Sequence, residues 1–174
     1  MRTSPAAAAR GDRVTAWNRT AAKADALRSF NITTAADRVG GVERVHLVLR
    51  DDESVESVIA AARPGLGADT IICDHTTTQP ALTAERSARL NASGVKYLHC
   101  PVFIGPAAAR QGQGIIMAAG PKPHFDAVQA GLAGMATGAS GTAARGVAPP
   151  NVLGFPFASF CDRESGGEAA SGVG

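Results

Sequence analysis

Three short stretches of the chain carry side chains able to bind or react. The first is Trp17-Asn18-Arg19-Thr20. A guanidinium is a planar fork of donors that can make two parallel bonds to a phosphate, and Lys23 lies one helical turn further on. An acid here would instead accept a bond from a ribose 2′-hydroxyl, but these four residues contain none. The alternative is a solvated arginine, with Asn18 or Thr20 capping a helix. The second stretch is Asp74-His75-Thr76-Thr77-Thr78-Gln79-Pro80. Threonine hydroxyls and the free N–H groups of a helix start can hold a ribose or an amide; the alternative is plain helix capping. His75 reads as a core or surface histidine, because no Ser/His/Asp or Cys/His constellation accompanies it. The third is His99-Cys100-Pro101-Val102-Phe103-Ile104-Gly105-Pro106, followed by Gly112, Gly114, Met117 and Gly120. A strand running into such turns sets backbone amides at a sheet edge. His99 and Cys100 are adjacent, so on a strand they face opposite sides and cannot serve one site together.

Hydrophobic periodicity predicts the elements that would position these residues. Arg13–Trp17 reads as a strand, followed by a helix from about Ala21 to Ser29, a short strand Asn31–Thr33 and a brief helix Ala35–Gly40. Arg44–Leu49 is a strand, and Asp51–Ala62 a helix with Val55, Val58 and Ile59 on one stripe, ended by Pro64. Thr70–Cys73 is a strand, and Pro80–Ala92 a helix with Thr76, Thr77 and Thr78 as candidate caps and Gly94 as its stop. Val95–Cys100 and Gly114–Ala118 are the remaining strands, and Pro123–Leu132 is helical. Ser4-Pro5 before Ala6–Ala9 has the form of a cap, a proline at the first helical position and a helix. Strands alternating with helical stretches of roughly 10–15 residues indicate βαβ units. The expected class is α/β, a mostly parallel sheet with helices on both faces. Ligands of open α/β sheets bind outside the carboxyl ends of the strands, and all three stretches lie at such ends.

The 174 residues suit one α/β domain plus a tail. With 45% hydrophobic residues but only 5% aromatic, the core must be built from Ala, Val, Leu and Ile. A formal charge of +2 without a basic cluster argues against nucleic acid as a partner. Cys73, Cys100 and Cys161 have no metal-ligand spacing; two buried thiols in strands and one in the tail are expected. Met1–Arg10 lacks the apolar run of a signal peptide, and no stretch approaches the ~20 apolar residues of a membrane span. A reducing, cytoplasmic location and no membrane partner are the expectation. After about Met135 the character changes. Gly138–Gly146 and Glu164–Gly174 are rich in Gly, Ala and Ser without a period, and Val152–Phe160 is broken by Gly154 and Pro156. Residues 136–174 are expected to form a low-order, irregular tail.

Taken in order, these stretches resemble the β-hydroxyacid dehydrogenase family, that is, 3-hydroxyisobutyrate dehydrogenase and its relatives, close to the NADP-binding domain of 6-phosphogluconate dehydrogenase. The matching segments are Val14–Thr20, Leu47–Asp52, Asp74–Pro80, and Cys100-Pro101-Val102 through Met117. The resemblance covers roughly residues 5–135 and implies a Rossmann-type NADP-binding domain over residues 1–135. Position by position, it implies that Asn18 and Arg19, with Thr20 beside them, hold the adenosine 2′-phosphate of NADP. Val48 and Leu49 would line the cofactor path, and Thr76 and Thr77 would sit by the nicotinamide. Val102, Phe103 and Gly105 fall on the substrate segment, which in the family binds a carboxylate through a Ser-Gly-Gly turn. Here Phe103 and Ile104 replace the Ser and the first Gly, which removes a hydroxyl donor.

Three further departures shape the expectation. The resemblance implies an opening strand with a G-x-G-x-x-G turn, whose glycines let a helix N-terminus approach the pyrophosphate; neither is seen before Arg13. That strand is central in the family's sheet, so without it the strands starting at Arg13 and Arg44 must pair directly, leave a gap or recruit another chain. No K-x-x-x-N follows Lys122, and the tail holds no lysine, so no catalytic residue is assigned, and none is assigned to a metal. The family's all-helical C-terminal domain, which closes the site and makes the oligomer, has no counterpart here. The expected function is thus the NADP-binding domain of a dehydrogenase acting on a 3-hydroxy acid or semialdehyde, inactive as this fragment. The alternatives are a non-catalytic nucleotide-binding or interaction module, and an imine-reductase-like relative.

Overall fold

A computed structural model describes residues 4–9, 11–35, 41–103, 105, 113–135 and 138–143. The chain opens with α1 (Ser4–Ala9), β1 (Thr15–Ala16) and α2 (Ala21–Asp25). A tight turn at Arg28–Phe30 leads into β2 (Thr33–Thr34), by way of Asn31 in the left-handed region at φ 59°. β1 and β2 pair parallel, Thr15 opposite Thr33.

The larger sheet begins with β3 (Arg44–Leu47), α3 (Asp52–Ala62), β4 (Ile71–Asp74), α4 (Pro80–Ala92) and β5 (Lys96–His99). β3, β4 and β5 run parallel and side by side, each joined to the next through a helix. β6 (Val102–Phe103) keeps the direction of β5, and β7 (Ile115–Gly120) runs antiparallel to both β5 and β6. After α5 (Lys122–Ala133), β8 (Gly138–Ala143) pairs parallel with β7 along its whole length.

Local chemistry explains the boundaries. Asp51 stands just before α3 in extended backbone and accepts the Ser54 N–H at 2.9 Å, satisfying one of the orphan donors of the helix start. Gly94 takes φ +80° after α4, so that Val95 N–H can reach back to Leu90 O at 3.0 Å. β4 is buried at all four positions, hence the apolar run Ile71–Cys73 before Asp74: the side chains alternate between two covered faces. On one face Ile71, Cys73, Leu98, Ile116 and Ala118 pack under Phe125, Val128 and Leu132 of α5. On the other, Val45, Leu47, Ile72 and Tyr97 pack under Val55 and Ile59 of α3 and Leu90 of α4.

The sheet is mostly parallel as expected, with β7 and β8 running opposite to the other strands. Several other expectations are corrected. Within the segment read as irregular, Gly138–Ala143 is a strand: β7 offers a free ladder, and backbone pairing needs no hydrophobic side-chain period. The cap of α4 is Gln79, followed by Pro80 at the first helical position; Thr76, Thr77 and Thr78 lie upstream of it. Of the three outcomes considered for the strands starting at Arg13 and Arg44, direct pairing is excluded, since β1 belongs to a separate two-stranded sheet and β3 sits at an edge among the described residues. All but Ala35 of the brief helix read over residues 35–40, with Ile104, Pro106, Gly112, Cys161 and the tail beyond residue 143, lie outside the described residues.

Candidate functional site

The carboxyl ends of β3, β4 and β5 form one rim, and the second sequence stretch occupies its centre. Leu47 stands opposite Asp74 and Asp74 opposite His99 in the two parallel ladders. The chain leaving β3 is tied to the chain leaving β4: Leu49 N–H donates to Thr76 Oγ1 at 3.0 Å. Having accepted that bond, the Thr76 hydroxyl still has its own proton to donate. Thr76 is buried, whereas Thr77 beside it and Val48 on the neighbouring loop are exposed. Thr83 Oγ1 donates to Gln79 O, so the Thr78 hydroxyl must be the donor in its 2.6 Å bond to Thr83.

A row of imidazoles crosses the rim. The Cys100 carbonyl can only accept, so His75 Nδ1 carries the proton and donates to it over 2.7 Å. His75 Nε2 is then bare and accepts from His46 Nδ1 at 2.9 Å. The two rings lie in planes 2° apart with centroids 5.2 Å apart, the arrangement of an edge-to-edge bond rather than a face contact. His99 faces the other way, as its neighbour relation to Cys100 requires, and donates from Nε2 to Thr76 O at 3.0 Å. Burial pushes both His75 and His99 below the ordinary histidine range, so both are neutral donors and acceptors near neutral pH. Cys73 and Cys100 are free and buried, and a hydrogen bond with Cys73, with burial added, holds the Cys100 thiol well above its ordinary range. A thiol so held is a poor nucleophile. Among the described residues no group of three His, Cys, Asp or Glu side chains is placed to hold a metal.

Under the rim lies a charged network with no counterpart in the sequence reading. Asp74 is fully buried; its Oδ1 accepts Thr76 N–H at 3.0 Å and its Oδ2 accepts the Tyr97 hydroxyl at 2.7 Å. Arg86 of α4, 1% exposed, brings Nη1 to 3.7 Å from the same Oδ2. Its remaining donors reach across to α3, Nε to Glu56 Oε1 at 3.0 Å and Nη2 to Asp52 Oδ1. Asp52 in turn accepts Gln79 N–H at 3.2 Å, joining the starts of α3 and α4. Burial opposes the charge of Arg86, but hydrogen bonds to Tyr97, Asp52 and Glu56 outweigh it and hold the guanidinium charged. Burial, with the charge of Asp74 added, pushes the Tyr97 hydroxyl far up, so it remains a neutral donor.

The first stretch lies at the end of β1. Asn18, Arg19 and Thr20 are exposed, and Asn18 Oδ1 accepts Thr20 N–H at 2.9 Å in a short side-chain turn. Thr20 precedes α2 without a side-chain capping bond, so the capping alternative for it is not what the chain does. In the third stretch the side chains diverge: Val102 packs against the core, while Phe103 is 40% exposed and Gly105 exposed. The tertiary structure thus joins Leu49 to Thr76 and leaves Asn18–Thr20 on the smaller sheet. Sequence reasoning missed His46, Arg86 and Tyr97. The available signal was Arg86 itself, a charge set at helical spacing between Thr83 and Leu90 on the buried side of α4.

Residues 4–146 match the family model for the NAD binding domain of 6-phosphogluconate dehydrogenase. An uncharacterized oxidoreductase of Shewanella frigidimarina (strain NCIMB 400) is 29% identical over 126 residues, covering 68% of this chain and 43% of that protein. In fold the chain is similar to Mycobacterium tuberculosis 3-hydroxyisobutyrate dehydrogenase, solved with L-serine, at a TM-score of 0.76 and 17% identity over 80% of this chain and 49% of that one. It is also similar to an imine reductase from Myxococcus stipitatus solved with NADP+, at a TM-score of 0.74 and 20% identity over 82% and 50% of the two chains. The chain spans about half the length of these relatives or less.

Proposed function

The chain belongs to the family of 6-phosphogluconate dehydrogenase NAD binding domains, and from that premise we propose that it is the NADP-binding part of a 3-hydroxyisobutyrate dehydrogenase-like oxidoreductase. The complete enzyme would act on a 3-hydroxy acid or the matching semialdehyde, as a cytoplasmic oligomer, and the chain alone would not turn over. One observation carries the reading: the carboxyl ends of two adjacent parallel strands are joined by the Leu49–Thr76 bond, at the edge where open α/β sheets take their ligands.

The residues fit a dinucleotide. Arg19 is an exposed cation at the end of β1 with the donor geometry a 2′-phosphate requires, and Asn18 and Thr20 flank it. Val48 and Leu49 offer an apolar rim at the next strand, and Thr76 and Thr77 present hydroxyls at the one after. When bound, the nicotinamide cofactor supplies hydride exchange. The protein's own part is to orient it, and the neutral His75 and His99 keep the backbone at the rim in place without adding charge. Phe103, apolar and exposed beside Val102, favours a second reading, an imine-reductase-like enzyme whose substrate has no carboxylate to hold.

Titrating the whole chain with NADPH and NADH by fluorescence tests the proposal. NADPH is expected to bind the more tightly, and Arg19→Ala to weaken it by about tenfold or more while leaving NADH unchanged, as for loss of a charge-assisted bond. Equal affinities would remove the role given to Arg19. Binding of neither nucleotide would favour a non-catalytic interaction module.

A further inference from the structure

The buried charges beneath the rim ask for an explanation. Removing a carboxylate and a guanidinium from water is costly, and a well-packed apolar pair often serves a core at least as well. Here the charged group is also tied to the rim, through bonds that can be followed atom by atom. Tyr97 Oη donates to Asp74 Oδ2 at 2.7 Å, Asp74 Oδ1 accepts Thr76 N–H at 3.0 Å, and Thr76 Oγ1 accepts Leu49 N–H at 3.0 Å. Each link has one sense. The carboxylate accepts on both oxygens, which a neutral amide could not do, and the hydroxyl of Thr76 turns a lone pair to Leu49 because a backbone N–H can only donate. Arg86 approaches the same Oδ2 of Asp74 that Tyr97 bonds and, through Asp52, reaches Gln79 N–H at the start of α4.

We propose that Tyr97 and Arg86 are positioning residues for the nucleotide rim, acting through Asp74 and Thr76 to hold the loop that follows β3 in register with the loop that follows β4. The inference rests on the functional reading of that rim but is tested without any nucleotide. Residues 48–50 and 76–79 leave strands that are bonded only as far as Leu47 and His75. Beyond that point the Leu49–Thr76 bond is what keeps them together. A rim built to receive a ligand gains by being fixed beforehand, since ordering is then not charged against binding.

Amide hydrogen exchange on the full chain decides the matter. Tyr97→Phe removes one oxygen from a fully buried ring and keeps its shape. It is expected to speed exchange at Leu49 and Thr76 by about tenfold, with Ile71 at the other end of the same strand, bonded to Glu43 O, unchanged. Thr76→Val should expose Leu49 to the same degree, and Thr76→Ser, which retains the oxygen, should restore its protection. In the Thr76→Val background Tyr97→Phe should add nothing at Leu49, because the two act in series. Uniform acceleration across the chain would reduce Tyr97 to a general stabiliser and overturn the proposal, as would additive effects of the two substitutions. Failure of NADPH to bind would leave these exchange results standing and count against the functional reading alone.

Discussion

At the ends of β4 and β5 two imidazoles are held neutral by burial, and acid works against both. The unfolded chain releases His75 and His99 to their ordinary range near ~6.5, while the folded chain keeps them lower. Below that ordinary value the unfolded state therefore binds more protons. Stability is full above about pH 6.5 and declines as pH falls toward the folded values, by about 1.4 kcal/mol per pH unit for each histidine. Thermal unfolding is expected to be level between about pH 7 and 8 and to fall steeply by about pH 5.5, with a shallower slope in His75→Gln. A wild-type profile flat down to about pH 5 would show that these rings are not buried as described. Arg19 belongs to the same scale. Its type and its place at a strand end were legible from the sequence, because both depend on neighbours within a few residues.

Among the elements, β7 shows how close packing fixes a backbone. Gly120 ends that strand at φ +139°, and a Cβ there would lie 2.8 Å from Leu98 Cδ2 and 3.1 Å from the Tyr97 carbonyl. Gly120→Ala is expected to destabilise the fold by about 1–3 kcal/mol from backbone strain alone, read as a lower denaturant midpoint; a shift within error would overturn the strain argument. Gly131 in α5 offers a contrast, since its would-be Cβ meets the guanidinium of Arg44, the mobile end of a long side chain. The helices were the most legible elements: Pro80–Ala92 is bounded by Pro80 at the first position and Gly94 just past the end, signals local to the chain. Strand β8 was not legible. Gly138–Ala143 has no apolar alternation, and its partner β7 sets it in place through backbone bonds.

Across the whole molecule the two sheets differ in how they are held. β3, β4, β5 and β7 share two apolar layers covered by α3, α4 and α5, whereas β1 and β2 are two residues each and, among the described residues, pair as strands only with one another. Local opening is easiest where buried apolar contact is least. Amides at Thr33 and Ala35, which bond to Val14 and Ala16 carbonyls, should exchange at least tenfold faster than those at Ile71 and Cys100 under native conditions, an order-of-magnitude difference. Equal protection would show that the small sheet and the large one open as one unit. No helix among the described residues is long and apolar enough to cross a membrane.

The sequence by itself determined the α/β class, the strand ends that form the rim and the presence of Leu49 and Thr76 at two of them; it also set Arg19 at the end of a strand, on the smaller sheet. Those features arise from periodicity, helix punctuation and the order of short motifs, all written within a few residues of one another. Only the tertiary structure decided that Arg86 is buried rather than solvated, that Tyr97 reaches Asp74, and that His46 meets His75 across 29 positions. The physical reason is register. Which side chains meet across β3, β4 and β5 depends on how parallel strands slide against each other, and no spacing along the chain encodes that.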